Sequence, residues 1–173
     1  MQYESAQYQI TYEYKYAKDA KYPDAKRTAV TILRIGTQHN MFIDYGQLTF
    51  DSISASIARG ESQAISSGPK LIGALKSIGL RELILLNRET KKEFIQCEPG
   101  GVQRYQYEED TPQLKWELLQ GDSTIAGYQC QKAKTRLFGR DYIAWYAPDV
   151  ELPYGPYKLS LIHISEPTRR YAI

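Results

Sequence analysis

A chain of 173 residues, 42% of them hydrophobic, is long enough for one core and too short for two ordinary domains. Its formal charge is +2, from 22 Lys and Arg against 20 Asp and Glu scattered along the sequence, which excludes the concentrated basic face of a nucleic-acid binder. No apolar run approaches the roughly 20 residues that span a bilayer as a helix, so no transmembrane segment is predicted, and the opening MQYESAQYQI lacks the charged-then-apolar layout of a secretory signal.

The chain carries 15 Tyr but only 4 Phe. Tyr pairs a strand-favouring ring with a polar tip that can reach water, which implies wide, partly wet sheet faces. In YQITYEYKY, residues Tyr8, Ile10, Tyr12, Tyr14 and Tyr16 form one face and Gln9, Thr11, Glu13 and Lys15 the other, the period of a half-buried strand. After the polar stretch AKDAKYPDAKR, the segments TAVTILRIGT and HNMFIDYG read as a hairpin turned at Gly36. From Asp51 the spacing becomes helical through Ile53, Ile57, Ala64 and Ile65. Pro69 opens a second helical run carrying Leu71, Ile72, Leu75 and Ile78 before Gly79. Strands resume as LRELILLN, KKEFIQC, VQRYQYEE, LKWELL, TIAGYQCQKAKTR and RDYIAWYA, punctuated by Pro99-Gly100-Gly101, Pro112, Gly121-Asp122 and Gly139. Eight or nine sequential strands with one insertion predict a mainly β fold. The expected form is a curled antiparallel sheet, open or half-barrel, around one helical hairpin.

Residues 115–158, KWELLQGDSTIAGYQCQKAKTRLFGRDYIAWYAPDVELPYGPYK, resemble the C-terminal half of the GLPGLI family, envelope proteins of Bacteroidota. The resemblance rests on Trp116, GYQCQKA, GRDYIAWYAPDV and GPYK. YQITYEYKY and AVTILRIG look like that family's opening strands. In the family, the segment equivalent to Gly155–Lys158 leads into a Gly-Leu-Pro-Gly-Leu-Ile motif. Here Leu159–Arg169, LSLIHISEPTR, instead resembles an in-frame translation of a transposase-type sequencing adapter. Residues 1–158 are therefore expected to form a single β-rich domain truncated before the naming motif, with 159–173 a non-native tail and Met1 an internal start or the edge of a mature region. The resemblance also implies a periplasmic or outer-membrane-associated location. An oxidising compartment would permit a Cys97–Cys130 disulfide without requiring one.

Setting the tail aside removes His163 and leaves His39, which reads as a turn histidine beside Gln38 and Asn40. Two cysteines and one histidine at unrelated spacing match no closed metal set. Glu108-Glu109-Asp110 beside Pro112 reads as a solvated turn, and LFGRDY does not open a phosphate-cradling helix. No catalytic residue, metal site or cofactor is predicted, and the expectation is a protein that is not an enzyme.

Three residues stand out as candidate ligand-binding groups. Trp116 and Trp145 alternate with apolar neighbours, as core side chains of a curled sheet do, or as the lining of a groove. Arg140 follows Gly139 and adjoins Asp141; it reads as a strand-end ion pair or as a planar fork for an acidic ligand group. The expected function is an extracytoplasmic domain holding a lipid-like or hydrophobic ligand, apolar or amphipathic, in a concave sheet face. The alternative is a structural or assembly module that pairs strands with an outer-membrane protein.

Overall fold

The structure is a computed structural model that describes residues 5–17, 21–99, 103–150, 152 and 154–159. Apart from Leu159, the tail expected to be foreign lies outside the described residues. The chain divides into two compact units, Met1–Asp110 and Thr111–Ile173.

The first unit runs β1 (Tyr8–Ala17), β2 (Lys26–Ile35), β3 (His39–Asp44), α1 (Tyr45–Ala58), α2 (Ala64–Ser77), β4 (Glu82–Asn87), β5 (Lys92–Cys97) and β6 (Tyr105–Asp110). Its six strands form one antiparallel sheet in sequence order, with the helical hairpin inserted between β3 and β4 and α1 lying against β2 and β3. The register aligns Ile10, Leu33, Phe42, Ile84, Ile95 and Tyr107 in a single row across all six strands. Leu33, Phe42, Ile84 and Ile95 are each buried, so this row is the apolar spine of the sheet. The alternation expected for β1 holds: Ile10, Tyr12 and Tyr16 on the spine's face are half-buried, and Gln9, Thr11, Glu13 and Lys15 are exposed. Tyr8 and Tyr14, toward the ends of that face, remain exposed.

One carboxylate ties the helical hairpin to the sheet. Asp44 ends β3 and is fully buried. Its Oδ1 accepts from the amides of Gly46 at 2.8 Å and Gln47 at 3.4 Å, capping α1, while Oδ2 accepts from the amides of Gly79 at 2.9 Å and Leu80 at 3.0 Å, where the chain leaves α2 for β4. This cap starts α1 at Tyr45, earlier than the helical spacing from Asp51 suggests. A Cβ on Gly46 would stand 3.0 Å from both Ala74 O and Ile78 N, so the absence of a side chain there lets α1 and α2 approach. Pro69 does not open α2. It lies inside the helix, which has already begun at Ala64.

The second unit contains β7 (Glu117–Ile125), β8 (Tyr128–Leu137) and β9 (Arg140–Tyr146), an antiparallel sheet in sequence order. The fold is thus mainly β, antiparallel and open with one helical hairpin, as expected, and its nine described strands lie in two sheets, neither closed into a barrel. The break falls at Thr111–Trp116, where Pro112 offers no amide to a ladder and restricts the residue before it. Gly121-Asp122, expected as a turn, is not one. β7 runs through it with a bulge between Leu119 and Asp122, and the reversal comes at Ala126 and Gly127, whose φ values of 49° and 86° suit a two-residue hairpin loop. The acids expected as a solvated turn end β6, where Glu108 pairs with Lys92 at 2.8 Å.

Candidate functional site

The β8 segment QKAKTR alternates strictly, and its register with β9 sorts the second sheet into two faces. Gln131 lies opposite Tyr146, Ala133 opposite Ala144 and Thr135 opposite Tyr142 on one face; Lys132 lies opposite Trp145, Lys134 opposite Ile143 and Arg136 opposite Asp141 on the other.

The first face carries the core. Leu114, Trp116, Ala133, Leu137 and Tyr146 are buried together, with Tyr142, Ala144, Tyr157 and Leu159 packed against them. Thr135 donates its hydroxyl to Lys115 O at 2.8 Å, which fastens the non-strand segment bearing Trp116 across β8. Tyr146 donates to Gln131 Oε1 at 2.8 Å, and burial pushes its phenol above the usual value. Trp116 is thus a core residue of this unit.

The opposite face is amphipathic. Trp145 is half-buried, Ile143 beside it is 58% exposed, and Lys132 holds its ammonium 5.7 Å from the Trp145 ring centroid. The bulge of β7 passes close by, since a Cβ on Gly121 would lie 3.8 Å from the tryptophan ring. Lys134 and Arg136 reach Asp141 at 3.1 and 3.9 Å, whereas Lys132 meets no carboxylate among the described residues. Arg140 is exposed at the start of β9 and shares the parity of Tyr142 and Tyr146, not that of Trp145. The three residues singled out from sequence are therefore not brought together. Lys132 and Ile143 join Trp145 instead, and the signal for them was the Lys-Ala-Lys-Thr-Arg alternation of β8.

In the first unit, His39 stands at the head of β3 immediately after the hairpin turn, its Nε2 3.4 Å from Asn87 Nδ2. Cys97 is half-buried and Cys130 buried, and both are free thiols. Among the described residues no group of three His, Cys, Asp or Glu side chains is placed to hold a metal ion. No described helix is long and apolar enough to cross a membrane, which says nothing of strands.

No family model matches the chain, and no curated protein does. Among solved structures, the chain is similar to PNGF-II in two crystal forms. One match has a TM-score of 0.45 at 12% identity over 82% of this chain and 21% of that one. The other has a TM-score of 0.44 at 12% identity over 84% and 22%. The chain spans about a fifth of that protein's length.

Proposed function

We propose that the chain is a non-catalytic binding domain of the cell envelope, of the GLPGLI type, that takes an amphipathic ligand with an acidic head on the open face of the β7–β9 sheet. The observation that carries this reading is the juxtaposition of Trp145 and exposed Ile143 with Lys132, a cation engaged by a ring and by no described carboxylate. An indole and a branched aliphatic side chain offer apolar area. An ammonium across one strand offers charge for the head group, and the ring geometry holds that charge at the boundary between the two. The extracytoplasmic setting belongs to the same proposal and follows from the resemblance of GYQCQKA, GRDYIAWYAPDV and GPYK.

Titration with laurate below its micellar concentration, followed by calorimetry and tryptophan fluorescence, tests it. Wild-type protein is expected to bind laurate more tightly than uncharged dodecyl maltoside. Trp145→Ala and Lys132→Glu should each weaken laurate at least tenfold, and Arg140→Ala, away from this face, should leave it unchanged. Equal affinity of wild type, Trp145→Ala and Lys132→Glu, or no binding by wild type, overturns the reading.

A further inference from the structure

Four strands lie at the ends of the two sheets, β1 and β6 in one and β7 and β9 in the other. Unpaired edge amides and carbonyls are templates for strand addition, and proteins blunt them with bulges, charge, proline or shortness. Strand β7 is bulged. Strand β6 has six residues and ends Glu108-Glu109-Asp110, so a second copy would set acid against acid. Strand β9 has seven residues. Strand β1 has ten, with no proline, glycine or bulge, and it pairs with β2 in unbroken register from Tyr8 to Ala17.

The ladder fixes which groups β1 presents outward. Gly36 N donates to His39 O at 2.8 Å, which makes Gly36 and His39 a hydrogen-bonded pair. Alternating from there, Arg34 and Ile32 direct their backbone groups to β3, while Ile35, Leu33, Thr31, Ala29 and Arg27 direct theirs to β1. Their partners Tyr8, Ile10, Tyr12, Tyr14 and Tyr16 therefore bond inward. Thr11, Glu13, Lys15 and Ala17 turn their amides and carbonyls to the free edge, and their side chains are exposed.

We propose that β1 is a self-association edge, on which two copies of this chain pair antiparallel about a two-fold axis through Tyr14. This goes beyond ligand binding and uses the other unit. Side-chain parity requires odd residues to face odd residues, and charge then selects the register. An axis through Glu13 sets Glu13 against its own copy, and one through Lys15 does the same for lysine. An axis through Tyr12 leaves both charges facing neutral residues. The axis through Tyr14 places Glu13 opposite the partner's Lys15 and Lys15 opposite the partner's Glu13, where each now salt-bridges within its own strand. That register forms about eight backbone hydrogen bonds, two for each of four outward-facing pairs. On the other side of the ribbon it brings Tyr14 against its copy and Tyr12 against the partner's Tyr16, extending the Tyr14–Tyr16 stack, whose centroids lie 5.2 Å apart.

Sedimentation equilibrium on the 173-residue chain and its variants, with circular dichroism to confirm folding, tests the proposal. Wild type should be a dimer at micromolar concentration. E13K and K15E should each raise the dimer dissociation constant at least tenfold, the double variant E13K/K15E should restore it, and an equimolar mixture of the two single variants should associate when neither does alone. Thr11→Pro, which removes an outward amide and no bond to β2, should also give monomer. A monomeric wild type, a dimer that persists in both single variants, or single variants that stay apart on mixing overturns the proposal.

Discussion

Removing the Asp44 carboxylate should loosen the helical hairpin at both ends at once. In Asp44→Ala the cap on Gly46 and Gln47 is lost, an effect of about 1 kcal/mol for an ordinary N-cap. The amides of Gly79 and Leu80, where the hairpin returns to the sheet, lose their acceptor in a site water does not reach at Asp44, and each such donor costs about 1–3 kcal/mol. The expected loss is about 3–7 kcal/mol, a large share of the roughly 5–15 kcal/mol that holds most domains folded. Asp44→Asn keeps one carbonyl oxygen but must turn an NH2 group toward either the helix amides or the Gly79–Leu80 amides. About 2 kcal/mol should go, with Asn falling between Asp and Ala. Urea unfolding followed by circular dichroism at 222 nm is the assay, because both described helices lie in this unit. If Asp44→Ala loses less than about 1 kcal/mol, or Asp44→Asn matches wild type, the carboxylate is not the tie described here.

Tyr12 places a phenol oxygen in the interior with no partner among the described residues, and burial pushes its pKa up to about 12. The folded state thus holds its proton where the unfolded chain has lost it. The contribution is complete below pH 10 and declines between about pH 10 and 12, by on the order of 2 kcal/mol. Tyr12→Phe should leave neutral-pH stability equal or higher, because it removes an unsatisfied hydroxyl, and should flatten the alkaline decline. Difference melts at pH 8, 10 and 11.5 check both signs, and a destabilised Phe variant at pH 8 would point to a hydrogen bond the phenol makes. Gly46→Ala should cost about 1–3 kcal/mol, because the new methyl meets Ala74 O and Ile78 N, in and just after α2, at 3.0 Å and the helices must separate. Thermal melts read it, and a loss equal to that of Gly73→Ala, where a Cβ meets open space, would refute the close approach.

How much of this was legible depends on whether one element or two decides a residue's place. The alternation of Tyr8 to Tyr16 needed only the strand's own period, and it holds in β1. The start of α1 was hidden because Asp44 belongs to two elements: it is the last residue of an apolar strand and the cap of the helix, and the strand pattern HNMFIDYG absorbed it. The second turn was hidden for a different reason. Gly121-Asp122 is the stronger turn signal, but two extra residues, Gln120 and Gly121, are accommodated there as a bulge, with Gly121 at φ 128°. Ala126, a weak turn former, takes positive φ because the strands on either side of it pair in register.

The candidate site shows the same division most sharply. In RDYIAWYA every residue from Tyr142 onward is apolar or aromatic, so periodicity within the strand cannot say whether Tyr142 and Ala144 or Ile143 and Trp145 turn inward. The neighbouring QKAKTR can say it, because Lys132, Lys134 and Arg136 alternate with Ala133 and Thr135 without exception. A two-residue loop at Phe138-Gly139 sets Leu137 against Arg140. Counting back along both strands from that pair puts Trp145 opposite Lys132 and Ala144 opposite Ala133. The charged face of β8 thus determines which aromatic of β9 faces away from the core, through a register the hairpin loop alone specifies. Trp116 escapes this reasoning because it precedes β7, in a segment with no ladder, and its place in the core is fixed by the packing of Leu114 and the Thr135 bond to Lys115. Adjacency in sequence to an apolar strand gave both tryptophans the same signature, and only the pairing of β8 with β9 separates the one that fills the core from the one that faces out.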